Sequence, residues 1–154
     1  MYRSLFFAPI ISLLACSPTN TDTDTAIVDS AFTVADNPNS DKSGFGEFTR
    51  HVDMNGLSIY GEDGVSDEKL LYVANILAEL LDNDEDGEWD DPLLYERLVD
   101  VEMLMPVFAR EGSSAERDFF NNYNGDGVSA VLYNNEVDPS QPGHWGSDAT
   151  IEET

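Results

Sequence analysis

Apolar residues recur through the middle of the chain at two distinct periods. Leu70, Val73, Ala74, Leu77, Leu80 and Leu81 are spaced three and four apart, which places them on one face of a helix. Ser66 stands where the cap of that helix belongs, and Val65 and Leu70 are placed to form a hydrophobic staple across it. Upstream, Phe48–Tyr60 alternates loosely, with Val52, Met54, Leu57 and Ile59 apolar. This predicts one or two short strands with a turn at Asn55-Gly56. Pro92 opens a second helix to about Val99, capped by Asp91. Val101–Phe108 is a nearly unbroken apolar run that reads as a strand, with Pro106 assigning it to a sheet edge or a bulge. Ser113 and Glu116 have the spacing of a capping box for a third helix to about Phe120. Val128–Tyr133 is a further short strand. The expected fold is α+β, one small domain of about three helices and a few short strands over residues 44–154.

Between the first two helices lies the densest chemistry in the chain, Asp82-Asn83-Asp84-Glu85-Asp86-Gly87-Glu88-Trp89-Asp90-Asp91. A hard cation such as calcium takes six to eight oxygens, and carboxylates at loop positions 1, 3, 5 and 9 converge on one point. Asp82, Asp84, Asp86 and Asp90 fill those positions, and Glu88 at position 7 would offer its backbone carbonyl. Gly87 falls where such a loop turns sharply. The twelfth position, a bidentate Glu in an EF-hand, is Leu93 here. The segment is therefore read as an EF-hand-like helix–loop–helix with a calcium loop at 82–91, of the shorter Asp-x-Asp-x-Asp-Gly-x-x-Asp kind. The competing reading is an acidic solvated turn that binds nothing. Asn122-Tyr123-Asn124-Gly125-Asp126-Gly127 imitates part of the pattern, but Ala130 and Tyr133 at its later positions leave weak ligands, and it reads as a plain turn.

The first 15 residues carry one positive charge, Arg3, followed by the apolar stretch Leu5–Leu14. That is the layout of a secretory signal peptide, and the stretch is too short for a permanent span. Its ending, Leu13-Leu14-Ala15-Cys16, resembles the lipobox of bacterial lipoproteins. The resemblance implies cleavage before Cys16, lipidation of its thiol and attachment to a membrane of the cell envelope. Ser17 resembles the residue that permits sorting to an outer membrane. Cys16 is the only cysteine of the chain, so no disulfide competes for it. Residues 17–43 are rich in Thr, Asp, Ser, Asn and Pro, with few large apolar residues, and read as a flexible tether. As a coil, that tether spans roughly 30 Å. The alternative within it is an edge strand over Ile27–Val34.

The chain has 154 residues with 7 Lys+Arg against 31 Asp+Glu, a formal charge of −24. Removal of the signal takes away only Arg3 and leaves −25. Such a charge excludes nucleic acid and anionic lipid as natural partners and favours bound cations.

Val65–Leu71 and Asn75–Gly87 together resemble a largely uncharacterised family of secreted proteins, in which a helix runs into an Asp-Asn-Asp-x-Asp-Gly loop. The resemblance implies a longer terminal helix bearing Glu-Glu-x-Leu-His, of which Glu152-Glu153-Thr154 would be the beginning, so that the chain reads as truncated. It also implies a histidine at the position of Tyr72. The only histidines are His51 and His144. They could form a zinc site with Glu152 or Glu153, although nothing in their spacing gathers them. No nucleophile motif and no phosphate-binding glycine loop is present. The functional expectation is a lipid-anchored envelope protein with a structural calcium loop, acting as a binding or scaffolding module. The alternative is a truncated or degenerate metal-dependent hydrolase.

Overall fold

The computed structural model describes residues 31–137. The signal, Cys16 and the terminal segment with His144, Glu152 and Glu153 lie outside the described residues. Within them the fold is α+β, with three helices and one five-stranded sheet. The order is β1 (Val34–Asp36), β2 (Phe48–Met54), β3 (Leu57–Glu62), α1 (Asp67–Leu81), α2 (Pro92–Asp100), β4 (Leu104–Phe108), α3 (Ser114–Asn122) and β5 (Leu132–Tyr133).

The strands stand in sequence order across the sheet. β2 and β3 form an antiparallel hairpin. Its turn is made by Asn55 and Gly56 at φ 58° and 109°, the left-handed pair that matches the twist of a hairpin. Asp53 Oδ1 accepts the Gly56 N–H at 2.8 Å and locks the turn. β4 then runs parallel to β3, and β5 parallel to β4. A parallel pair needs a crossover. The first crossover contains α1, the acidic loop and α2, and the second contains α3.

Because β4 has crossovers on either side, both of its faces are covered and all five of its residues are buried. Such strands read as continuous apolar runs rather than alternations. Met105 and Val107 join the cluster that holds Leu70, Val73 and Leu77 of α1. Leu104 and Phe108 join Phe45, Phe48, Tyr60 and Phe119 on the opposite side. The ring centroids of Phe45 and Tyr60 are 4.9 Å apart and edge-on, and those of Phe48 and Phe119 are 5.7 Å apart. This is the geometry that the ring quadrupoles favour.

Five features depart from the sequence expectation. Pro106 is not on an edge strand, since β4 is internal. The bulge half of the expectation holds instead. Leu104 pairs with Val128 and Val107 with Leu132, so the partner segment gains one residue between the two pairs. Leu104 and Phe108 direct their backbone groups toward that segment, and Pro106 by alternation does the same. Its missing N–H therefore falls where the ladder is already interrupted. β4 is also shorter than predicted, because Val101 caps α2 and Glu102 turns at φ 53°.

Leu80 was expected in the buried stripe, but it is 52% exposed. It lies at the margin of the stripe in the last turn of α1, turned away from the core that its neighbour Leu81 enters.

The folded body also starts before Gly44. Val34–Asp36 pairs with β2, sharing only Val34 with the edge-strand alternative over Ile27–Val34, of which residues 27–30 lie outside the described residues, and the following turn is held by Asn37. The side-chain Nδ2 of Asn37 donates to the carbonyls of Phe45 and Phe48 at 2.9 and 3.0 Å, and its Oδ1 accepts from the Asn39 N–H at 2.8 Å. Composition alone cannot show this. A single buried amide satisfies the backbone of a polar stretch that has little apolar surface to bury.

The capping box of α3 is likewise altered. Ser113 Oγ accepts from the Glu116 N–H at 3.1 Å as expected, while the Glu116 carboxylate reaches back to the Gly112 N–H and accepts from the Tyr133 hydroxyl at 2.8 Å. Burial, then that hydrogen bond, then the charges of Glu116, Glu111 and Glu136 push the Tyr133 phenol up to about 12.

One close approach tests the second crossover. A Cβ on Gly127 would lie 2.2 Å from the Glu102 carbonyl oxygen and 2.5 Å from that of Val101. Backbone atoms cannot rotate away, so Gly127→Ala should cost about 2 to 3 kcal/mol in urea unfolding, the usual size of an overpacking penalty. Gly46→Ala meets nothing closer than 3.6 Å and should stay within about 0.5 kcal/mol. Equal stability of the two variants would contradict this packing.

Candidate metal centre

The acidic loop begins as the cap of α1. Asp82 leaves the helix at φ −136° and ψ 74°, with its N–H still bonded to the Ala78 carbonyl at 2.9 Å. Its carboxylate then organises the loop. Oδ1 accepts the Asp86 N–H at 3.1 Å and Oδ2 the Gly87 N–H at 2.9 Å. Asp86 Oδ1 in turn accepts the Glu88 N–H at 2.9 Å. Two residues are in the left-handed region, Glu85 at φ 56° and Gly87 at φ 86°. The loop closes where the Asp90 N–H returns to the Leu81 carbonyl at 2.9 Å.

This winding brings one carboxylate oxygen each of Asp82, Asp84 and Asp86 within 4.8 Å of one another. Asp84, Asp86, Glu88, Asp90 and Asp91 are exposed, and Asp82 is half-buried. Asp90 and Glu88 are not in the gathered trio. Asp90 Oδ2 accepts the Asn83 N–H at 3.0 Å, which fixes the loop's two ends to each other. Glu88 had been assigned a backbone carbonyl, and its N–H is engaged with Asp86. Asp91 is the cap of α2, its Oδ1 accepting from Leu93 and Leu94 N–H groups at 3.1 and 3.0 Å.

Electrostatics at this point has one sign. The carbonyl end of a helix carries a partial negative charge, and a basic residue in the last turn normally offsets it. The last turn of α1 has none. Three carboxylates therefore sit at the negative end of a helix dipole, and a cation among them would relieve both repulsions. The donor set is all oxygen, which suits a hard divalent ion better than zinc or copper. Three side-chain oxygens fall short of the six to eight that calcium takes, so backbone carbonyls and water would have to supply the rest.

The exit of the loop is fixed by aromatic residues. The Trp89 and Tyr95 rings stack with centroids 4.8 Å apart at 20°, and the Tyr95 hydroxyl donates to the Asn55 carbonyl at 2.6 Å. The loop is thereby tied to the tip of the β2–β3 hairpin. No sequence pattern announced this link, because Trp89 and Tyr95 are six apart and their partner is forty residues away.

Of the candidate zinc residues only His51 is among the described residues, and it does not belong to the trio of aspartates. Among the described residues, the three aspartates are the only group of three or more acidic, histidine or cysteine side chains close enough to hold a metal. His51 is on β2, with its ring 4.8 Å from that of Tyr60 and its Nε2 3.2 Å from Ser58 Oγ. Tyr72, where the family resemblance implies a histidine, is buried in the core with α1. A second hollow of about 420 Å³ lies over the sheet face near Ser58, Tyr60 and Tyr123. Its Asn39 amide donates to the Tyr60 hydroxyl at 2.6 Å and its Asn124 amide to the Asn122 carbonyl at 3.1 Å.

Burial lowers the pKa of His51 below 6.5, and the charge of Asp53 partly opposes it. The unfolded chain then binds the proton first, so stability is fully present above pH 6.5 and is lost as pH falls from there through the folded midpoint. A proton NMR titration of His51 should give a midpoint below 6.5, moved lower still in Asp53→Asn. A midpoint at or above 6.5 would refute the burial argument.

No protein-family model, no curated protein and no solved structure matches the chain, so the site is read from its own residues.

Proposed function

We propose that the protein is a lipid-anchored protein of the bacterial cell envelope. Its small α+β domain carries an EF-hand-like calcium loop at 82–91 and acts as a binding or scaffolding module. The observation that supports the calcium reading is the convergence of Asp82, Asp84 and Asp86 at the negative end of α1. The support for the anchor is the charged n-region, the apolar stretch and the Leu-Leu-Ala-Cys ending of the first 16 residues. No helix among the described residues is long and apolar enough to cross a membrane. The two halves of the reading fit one setting, because millimolar calcium is the range in which extracellular modules with few ligands are occupied.

The loop lacks an acid at its twelfth position, and its role is accordingly structural rather than that of a sensor. A cation would join the end of α1 to the start of α2 by neutralising the charge between them.

Calcium at about 1 mM acting on a site of Kd near 10⁻⁴ M should stabilise the domain by about 1.4 kcal/mol. Asp82→Ala and Asp86→Ala should each abolish the calcium-dependent rise in Tm, whereas Asp22→Ala should leave it intact. A Tm indifferent to calcium and chelator alike would return the loop to an acidic turn.

Labelled fatty acid should enter the protein on expression in a diderm bacterium, and Cys16→Ser should prevent it. Labelling that persists in the serine variant would overturn the anchor.

A further inference from the structure

The hollow of about 420 Å³ over the sheet face is lined by charges of both signs. Its size lies within the range of about 300 to 1,000 Å³ usual for small-molecule sites. Phe45, Tyr60 and Leu104 line it from the core, and each is almost wholly buried. Three connections complete the lining: the one between β1 and β2 with Asn39 and Lys42, the turn before β4 with Glu102, and the segment after α3 with Asn124. No residue of the acidic loop takes part.

Several polar groups of this hollow lack partners. Tyr60 is 3% exposed, and its hydroxyl accepts from Asn39 at 2.6 Å. Among the described residues nothing accepts the proton of that hydroxyl, and a buried donor left unmatched is costly. Asn122 Nδ2 donates to the carbonyl and the carboxylate of Asp118, both at 2.9 Å, and Asn124 Nδ2 donates to the Asn122 carbonyl. Both amide oxygens are left without a donor among the described residues. Lys42 is one of only two lysines in the chain. The other, Lys69, donates to the Asn134 carbonyl. Lys42 forms no ion pair among the described residues, although the chain has 31 acidic side chains, and neither does Glu102.

The backbone sets the two charges toward opposite ends. Asn39 holds the Tyr60 hydroxyl, and Lys42 follows three residues later in the same connection, so the donors gather at the Tyr60 end. Ser58 lies two residues earlier on β3, about 7 Å away. Its N–H bonds to the Met103 carbonyl at 3.0 Å, which places Glu102 at the Ser58 end. We propose that this hollow is a binding site for a small zwitterion of the α-amino acid class. The Lys42 ammonium and the Tyr60 hydroxyl receive its carboxylate. The Glu102 carboxylate and the free amide oxygens of Asn122 and Asn124 receive its ammonium, and Leu104 and Tyr123 are left for its side chain. Charge selects this ligand: an anion would meet Glu102, a cation would meet Lys42, and a neutral polyol would leave both unmatched. The site lies outside the acidic loop and needs no cation there.

Calorimetry on the full chain carrying Cys16→Ser tests the site, with the common L-amino acids as probes. At least one should bind with a Kd of about 1 mM or tighter. Its N-acetyl and carboxamide derivatives each lack one charge and should bind at least about tenfold more weakly. Lys42→Gln and Glu102→Gln should each weaken binding about tenfold. Both should leave Tm unchanged, because the two side chains are exposed and form no ion pair among the described residues. Tyr60→Phe should weaken binding as well, and Asn124→Ala serves as a second variant should Tyr60→Phe melt early. The titrations are run in calcium and in chelator, which separates this claim from the calcium reading, and binding in either buffer supports the site. No binding of any amino acid at about 10 mM in both buffers would overturn it. So would equal affinity for the capped derivatives, or tighter binding of N-acetylglucosamine, which would give the hollow to neutral polyols.

Discussion

β4 has to be buried on both faces, and most of the architecture follows from that. A five-residue strand without a polar side chain cannot leave a face to solvent, and pairing it in parallel with both neighbours obliges the chain to cross over twice. The crossover before β4 lays α1 against β2 and β3, on the sheet face whose core cluster also takes in Met105 and Val107. The one after it brings Phe119 of α3 toward Leu104 and Phe108 on the other side. The close approach of Gly127 to the Glu102 carbonyl and the interrupted ladder opposite Pro106 are local adjustments that let the last segment lie against this strand.

The acidic loop inherits its position from the same constraint. It lies in the first crossover, between the helix that covers the sheet and the helix that returns to β4. The chain must reverse there within ten residues or so, and it does so with carboxylates as internal acceptors: Asp82 for Asp86 and Gly87, Asp86 for Glu88, Asp90 for Asn83. These bonds use the same oxygens that a cation would claim, and they concentrate charge at the end of α1. The geometry that makes the turn is thus the geometry that gathers the three carboxylates. The Trp89–Tyr95 stack and the Tyr95–Asn55 hydrogen bond then tie this turn to the β2–β3 hairpin, so that the loop, the hairpin tip and Ala31 and Phe32 meet in one place.

Where the cause of a feature lies within one turn or one hairpin, the sequence revealed it. The Ser66 and Asp91 caps, the Asn55-Gly56 turn, the α1 stripe from Leu70 to Leu77 and the order of the acidic loop residues all depend on residues a few positions apart. The trio Asp82, Asp84 and Asp86 was legible because its convergence is a property of loop winding. The role of Asp90, which closes the loop instead of joining the trio, was not legible, since it depends on which backbone amide lies nearest once the loop is wound. Glu116 shows the same limit: its cap was visible, but its bond to Tyr133 joins residues seventeen apart through the second crossover.

The sequence by itself therefore determined the helices, the hairpin, the α+β class and the three aspartates of the loop, because periodicity, capping and turn chemistry act over short range. Only the tertiary structure decided that β4 is internal, that Val34–Asp36 joins the sheet and that Asn37 holds a polar stretch in place. It likewise decided that Leu80 faces solvent and that a groove opens beside the loop. Burial and backbone satisfaction at those positions depend on partners distant in sequence, and no local pattern encodes which distant segment will arrive.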